Sequence, residues 1–226
     1  MGNGRGESLS PAGDSLSATI AIESAEVSNF LTSDTLAVIL AGGGAEIAGY
    51  NLRVAVDNPA LIIEEILPGD IPDSCQWEYF TASEGNIGAD DSGIVSVWQI
   101  VALAKSSPDT TRPLCLGFDS AGSVAKIVFS VAPTETLTDT LPVFFYWQSC
   151  RDNVTSDVSG GSLILSQDVY NLDSSAVTDT AATFPTRGGC PSSCINLRRP
   201  NHPKRGIVFR NGGVIIRDSA PSPESD

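Results

Sequence analysis

Asn51-Leu52-Arg53-Val54-Ala55-Val56-Asp57 is the stretch whose reading decides the fold. Leu52, Val54 and Val56 fall on one side of an extended chain, with Arg53 and Asp57 on the other. Successive strand side chains point to opposite faces, so a period of two marks a strand buried on one face. Val124 to Val131 repeats the device, with Ile127, Phe129 and Val131 set against Lys126 and Ser130. Ile94 to Ala102 and Leu141 to Gln148 are apolar on both faces, as central strands are. Within Phe144-Phe145-Tyr146-Trp147, Phe145 and Trp147 share one face, and Phe144 and Tyr146 share the other. The first face reads as core, the second as packed beneath a loop.

Working outward, Thr19 to Ile22, Leu36 to Leu40 and Ser162 to Ser166 are short apolar runs of strand length. Ile207 to Arg210 and Val214 to Arg217 flank Asn211-Gly212-Gly213. Asn-Gly favours tight hairpin turns, so the spacing predicts a terminal hairpin there. No long helix-period pattern and no internal repeat occur. Many short strands broken by Gly, Pro and Asp turns argue for an all-β fold, a sandwich or jelly roll. Residues 1–16 read as a flexible leader, 17–217 as the sandwich, and 218–226 as a disordered tail or linker. Between 171 and 205 the pattern predicts a long polar loop holding Cys190, Cys194 and His202. Loops of that length in a compact domain are usually functional or covalently tied.

The charge balance narrows the partners. Across 226 residues, 13 basic side chains stand against 27 acidic ones, a net charge of −14. Such a surface repels phosphate backbones and anionic headgroups, which excludes nucleic acid. No run is long enough for membrane insertion. Five cysteines, Cys75, Cys115, Cys150, Cys190 and Cys194, form no zinc-knuckle spacing and read as disulfide candidates, two bridges plus a spare thiol. The pairing is open; a Cys75–Cys115 bridge would contribute ~4 kcal/mol by the chain-entropy model. Met1 to Ser17 shows no signal-peptide pattern, so the expected setting is part of a longer exported chain, extracellular or at the cell surface.

Catalytic constellations are not found. The sole histidine, His202, lies in a polar loop, and Ser120 sits in turn chemistry rather than a nucleophile elbow. Glu78, Glu84, Asp90 and Asp91 are the carboxylates that would serve a glycoside hydrolase, the least favoured alternative. No cofactor is required. Calcium is the candidate ion, with Asp152, Asn153 and Asp157 as ligands near Asp168 and Asp173; turn-making is the competing role and the better supported. Trp77, Tyr79, Trp98 and Tyr146 are the candidate ligand-binding aromatics, since sugar rings stack on exposed aromatic faces, though large aromatics in sandwiches are mostly core. Asn153-Val154-Thr155 matches a glycosylation acceptor pattern, a frequent chance match.

The run Ala48-Gly49-Tyr50 through Asp57 resembles the early strand of cohesin-like domains of bacterial extracellular proteins, sandwiches related to carbohydrate-binding modules. So do Ala60-Leu61-Ile62-Ile63, Pro68-Gly69-Asp70, the strand from Gly122 to Phe129, and the closing Asn211 to Ile216. The resemblance spans about residues 35 to 217 and implies a nine-stranded jelly-roll sandwich with a non-catalytic binding role. The cysteine set and the long loop after Asn171 depart from the family pattern, which leaves the partner open between a docking domain and a polysaccharide. A structural spacer without ligand is the alternative from another class.

Overall fold

The computed structural model describes residues 18–27, 33–42, 47–88, 93–104, 121–132, 139–156, 164–177, 183–190 and 205–217. The expected leader and tail lie outside these residues. Two sheets face each other. Sheet A runs in the order β11 (Ile164–Tyr170), β12 (Arg205–Arg210), β1 (Ala18–Ile22), β3 (Asp34–Ala41), β8 (Gly122–Val131), β5 (Leu61–Pro68). Sheet B runs β2 (Ser24–Val27), β13 (Gly212–Ile216), β9 (Thr140–Phe145), β4 (Gly49–Val56), β7 (Ser96–Leu103), β6 (Tyr79–Glu84). A short β10 (Val154–Ser156) also pairs with β4, and the helix α1 (Asp70–Ser74) follows β5.

The alternating segments lie as their pattern requires. Leu52, Val54 and Val56 are fully buried, as are Ile127, Phe129 and Val131 from the facing sheet. Burying each such side chain stabilises the fold by roughly 1.5–3 kcal/mol. Phe145 and Trp147 point inward and meet Phe209 edge-on, with ring centroids at 4.8 and 5.4 Å. The Tyr50 hydroxyl donates to the Val124 carbonyl at 2.6 Å, a bond from sheet B to sheet A. Burial pushes that hydroxyl well above the ordinary tyrosine range, so it stays a donor.

The expected terminal hairpin does not form. β12 lies in sheet A, parallel to β1, while β13 lies in sheet B, parallel to β2. The chain therefore switches sheets at Asn211, alongside the place where β1 hands over to β2 at Glu23. Asn211 makes a corner rather than a turn: its N–H donates to the Tyr170 carbonyl at 2.8 Å, and its Oδ1 accepts from the Phe145 N–H at 2.9 Å. Gly212 is there for proximity, because a Cβ would stand 2.2 Å from the Glu23 carbonyl oxygen and 2.4 Å from that of Ile22. The local rule fails because both flanking runs pair with strands distant in sequence. The same bending helps raise the strand number to thirteen among the described residues, against the nine that the resemblance implies.

Gly212→Ala drives a methyl into backbone that cannot step aside, and is expected to cost about 2–3 kcal/mol in a denaturant melt. Gly85→Ala meets its nearest neighbour at 3.5 Å, an ordinary contact. That variant should stay within about 0.5 kcal/mol of the parent.

Candidate functional site

The outward side of sheet B carries three zones, laid out by strand register. At one end Tyr79, Leu103 and Gly49 stand in line across β6, β7 and β4. Tyr79 is 49% exposed and Leu103 38%, an uncovered apolar pair. Gly49 leaves room for Leu103, whose side chain would lie 2.8 Å from a Cβ there. The next row, Thr81, Val101 and Asn51, is half-buried and uncharged.

The middle zone is a polar lock. β9 and β10 flank the same edge of β4, and the chain between them, Tyr146 to Asn153, swings away opposite Leu52 and Arg53. Asn153 fills the interrupted ladder with its side chain: Oδ1 accepts from the Arg53 N–H at 2.8 Å, and Nδ2 donates to the Tyr146 carbonyl at 2.9 Å. It holds a left-handed φ of 52°, which Asn tolerates better than most residues. Arg53 Nε donates to Asp152 Oδ1 at 3.0 Å, and its guanidinium also reaches Gln148 and Gln99. Asp152 Oδ2 accepts from the N–H groups of Gln148 and Ser149 at 2.8 and 2.7 Å. Charge-assisted bonds of this kind hold the excursion rigid at the price of desolvating an ion pair.

The third zone is a second small core outside the sandwich, formed by Ala55, Ile94, Val97, Phe144 and Tyr146. Its cover is the segment around Thr186 and Arg187, which pairs with Trp147 through two backbone bonds of 2.9 and 3.0 Å. Arg187 lays its guanidinium over the Phe144 ring at 3.9 Å and binds Asp57 at 2.9 Å. The reading of Phe144 and Tyr146 as packed beneath the long loop thus matches the structure.

The sequence-derived site residues scatter. Of the aromatics only Tyr79 is exposed; Trp77 and Trp98 are half-buried against the main core, and Tyr146 is buried. Asp152 and Asn153 are buried and serve the backbone, while Asp157 lies outside the described residues. Among the described residues no three His, Cys, Asp or Glu side chains converge on a metal position. Buried Asn153 uses both amide atoms internally, so the folded protein offers no glycan acceptor there. Glu78 precedes β6 and Glu84 ends it; six residues of extended chain separate them by roughly 20 Å, beyond the carboxylate spacing of a glycosidase pair. Asp90, Asp91, Ser120, His202, Cys115 and Cys194 lie outside the described residues. Cys75 is buried, and Cys150 and Cys190 are half-buried. Leu103 and the Arg53 lock belong to this face but carry no signal in the sequence: Leu103 looks like any strand residue, and Arg53 like solvated surface.

No protein-family model matches the chain, and no curated protein matches its sequence. Solved structures do. The seventh ScaB type I cohesin from Pseudobacteroides cellulosolvens is 13% identical, covering 92% of this chain and 97% of that one, with a TM-score of 0.50. The sixth cohesin of scaffoldin B from Acetivibrio cellulolyticus, in complex with a Cel5 dockerin mutant, is 13% identical over 89% and 99% of the two chains, TM-score 0.49. A non-cellulosomal cohesin from Archaeoglobus fulgidus is 13% identical over 89% and 92%, TM-score 0.47. Likeness at this identity is one of fold: the chain is a cohesin-like β-sandwich.

Asn153→Ala strands the Arg53 N–H and the Tyr146 carbonyl, and is expected to lower unfolding free energy by about 2–4 kcal/mol. Asn153→Gly keeps the left-handed backbone at no cost and should recover about 1 kcal/mol of that loss. Equal losses in urea titrations would show that the amide, and not the backbone angle, accounts for the whole effect.

Proposed function

We propose that this chain is a non-catalytic interaction module that docks a partner protein on the exposed end of sheet B. The observation that carries the reading is the Tyr79–Leu103 pair: two large exposed apolar side chains directly opposite each other, beside uncharged Val101, Thr81 and Asn51. Specific protein interfaces have this composition, an apolar centre with polar groups around it and few charges. The polar lock beside it fixes the backbone beneath, so docking loses little to ordering. The partner proposed is a docking domain, one of the two occupants that the resemblance of the sequence leaves open, and dockerin-type domains are the probe.

The setting we propose is extracellular or on a cell surface, within an exported chain. Its support is the cysteine set, five residues that read as two bridges plus a spare thiol, since such bonds persist in oxidising compartments.

The test is a pull-down of dockerin-type domains by the immobilised, oxidised domain, in calcium and in chelator. Tyr79→Ala and Leu103→Asp should each weaken capture about thirtyfold, the loss of an interface hot spot, with thermal midpoints unchanged because neither side chain is core. Capture by the variants at parent strength would remove this face from the proposal. No capture by the parent would leave a spacer without ligand as the account. Non-reducing mass spectrometry checks the cysteine chemistry, and is expected to find Cys75 and Cys150 in disulfide-linked peptides.

A further inference from the structure

Away from the Tyr79–Leu103 pair, the corner at Asn211 and the turn at 171–177 enclose a cavity of about 450 Å³ against the outward side of β9. That volume lies in the range of small-ligand sites. Pro142, Leu172 and Val177 supply apolar walls, and Asn211, Arg187 and Asp173 the polar groups. Asn211 is only 7% exposed. Its Oδ1 is taken by the Phe145 N–H, while its Nδ2 has no partner among the described residues. That amide is not sealed from water, so it stands open to a ligand acceptor.

The other two groups define what that ligand is. Arg187 is held in place by Asp57 on one edge and Phe144 on its face, so it offers a fixed donor. Asp173, exposed at the mouth, accepts on Oδ1 from the Ser175 N–H at 2.9 Å and from its hydroxyl. These bonds hold its carboxyl below the usual carboxylate range, leaving an ionised acceptor. A free anion would meet Asp173 and a chain of net charge −14. A free cation would meet Arg187. A neutral molecule whose neighbouring groups both donate and accept suits the two donors and the rim acceptor together, and hydroxyls have that property. The apolar walls ask in addition for a C–H face. We propose that this cavity binds a neutral sugar residue, independently of the docking face on β6 and β7.

The experiment is an amide-detected NMR titration of the full chain with cellobiose, mannobiose and chitobiose, each to millimolar concentration. At least one should produce saturable shifts of the Asn211 side-chain amide and of the Leu172 and Asp173 backbone amides. Asp173→Ala should weaken that binding about tenfold, the loss of a hydrogen bond to a charged group, with the melting temperature retained. Thr140→Trp, which fills the cavity from β9, should abolish it in a folded protein. The proposal is overturned by no saturable shift with any of the sugars, by shifts that map instead to Tyr79 and Leu103, or by full affinity in both variants. Capture of a docking domain is read on other strands, β6 and β7, so failure of either idea is visible apart from the other.

Discussion

The fold hangs on one close contact, where Gly212 lies against the backbone of Ile22 and Glu23. At that point two stretches of chain pass from sheet A to sheet B side by side. β1 and β12 are parallel partners before the crossing, and β2 and β13 are parallel partners after it. No side chain fits between them. The contact sets the distance between the sheets at one end, and Asn211 ties the corner to β9 and β11 through its own hydrogen bonds. The Tyr50–Val124 bond joins the sheets again through a side chain. What lies between is ordinary close packing, with Phe145, Trp147 and Phe209 as its bulk.

Given that frame, the outward side of sheet B is divided by chemistry. Val97 and Ala55, beneath the Thr186–Arg187 segment, are dry. Arg53, Asp152 and Asn153 form a rigid polar belt, and Tyr79 with Leu103 forms an uncovered apolar end. A single strand, β4, contributes to every zone, since Gly49, Asn51, Arg53 and Ala55 succeed one another on the same face. One residue of register slip in β4 would exchange these for Tyr50, Leu52 and Val54 and destroy core and face together. The site and the fold therefore share a single determinant.

Much of this was legible in the chain because it is local. The alternation of Leu52, Val54 and Val56, and of Ile127, Phe129 and Val131, reports burial directly. So does the split of Phe144 and Tyr146 from Phe145 and Trp147. Where local pattern and distant pairing conflict, reading failed: Asn211-Gly212 has the chemistry of a hairpin, yet both neighbours find parallel partners elsewhere. The site was less legible still. Asp152 and Asn153 look like loop ligands until their partner Arg53, a hundred residues upstream, is placed beside them. Tyr79 was found as an aromatic, but Leu103 gains meaning only from the strand opposite.

The position of β1 bears on how the chain reaches this state. Ala18 to Ala21 sit between β3 and β12, so one edge of this first strand is completed by residues Ile207 to Arg210. During synthesis that edge waits until nearly the whole domain has emerged. Contacts this distant in sequence slow folding, because the chain loses its freedom before the pairing rewards it. A chain arranged in this way leaves its first pairing edge open for as long as its last strands are withheld, and closes only when they arrive.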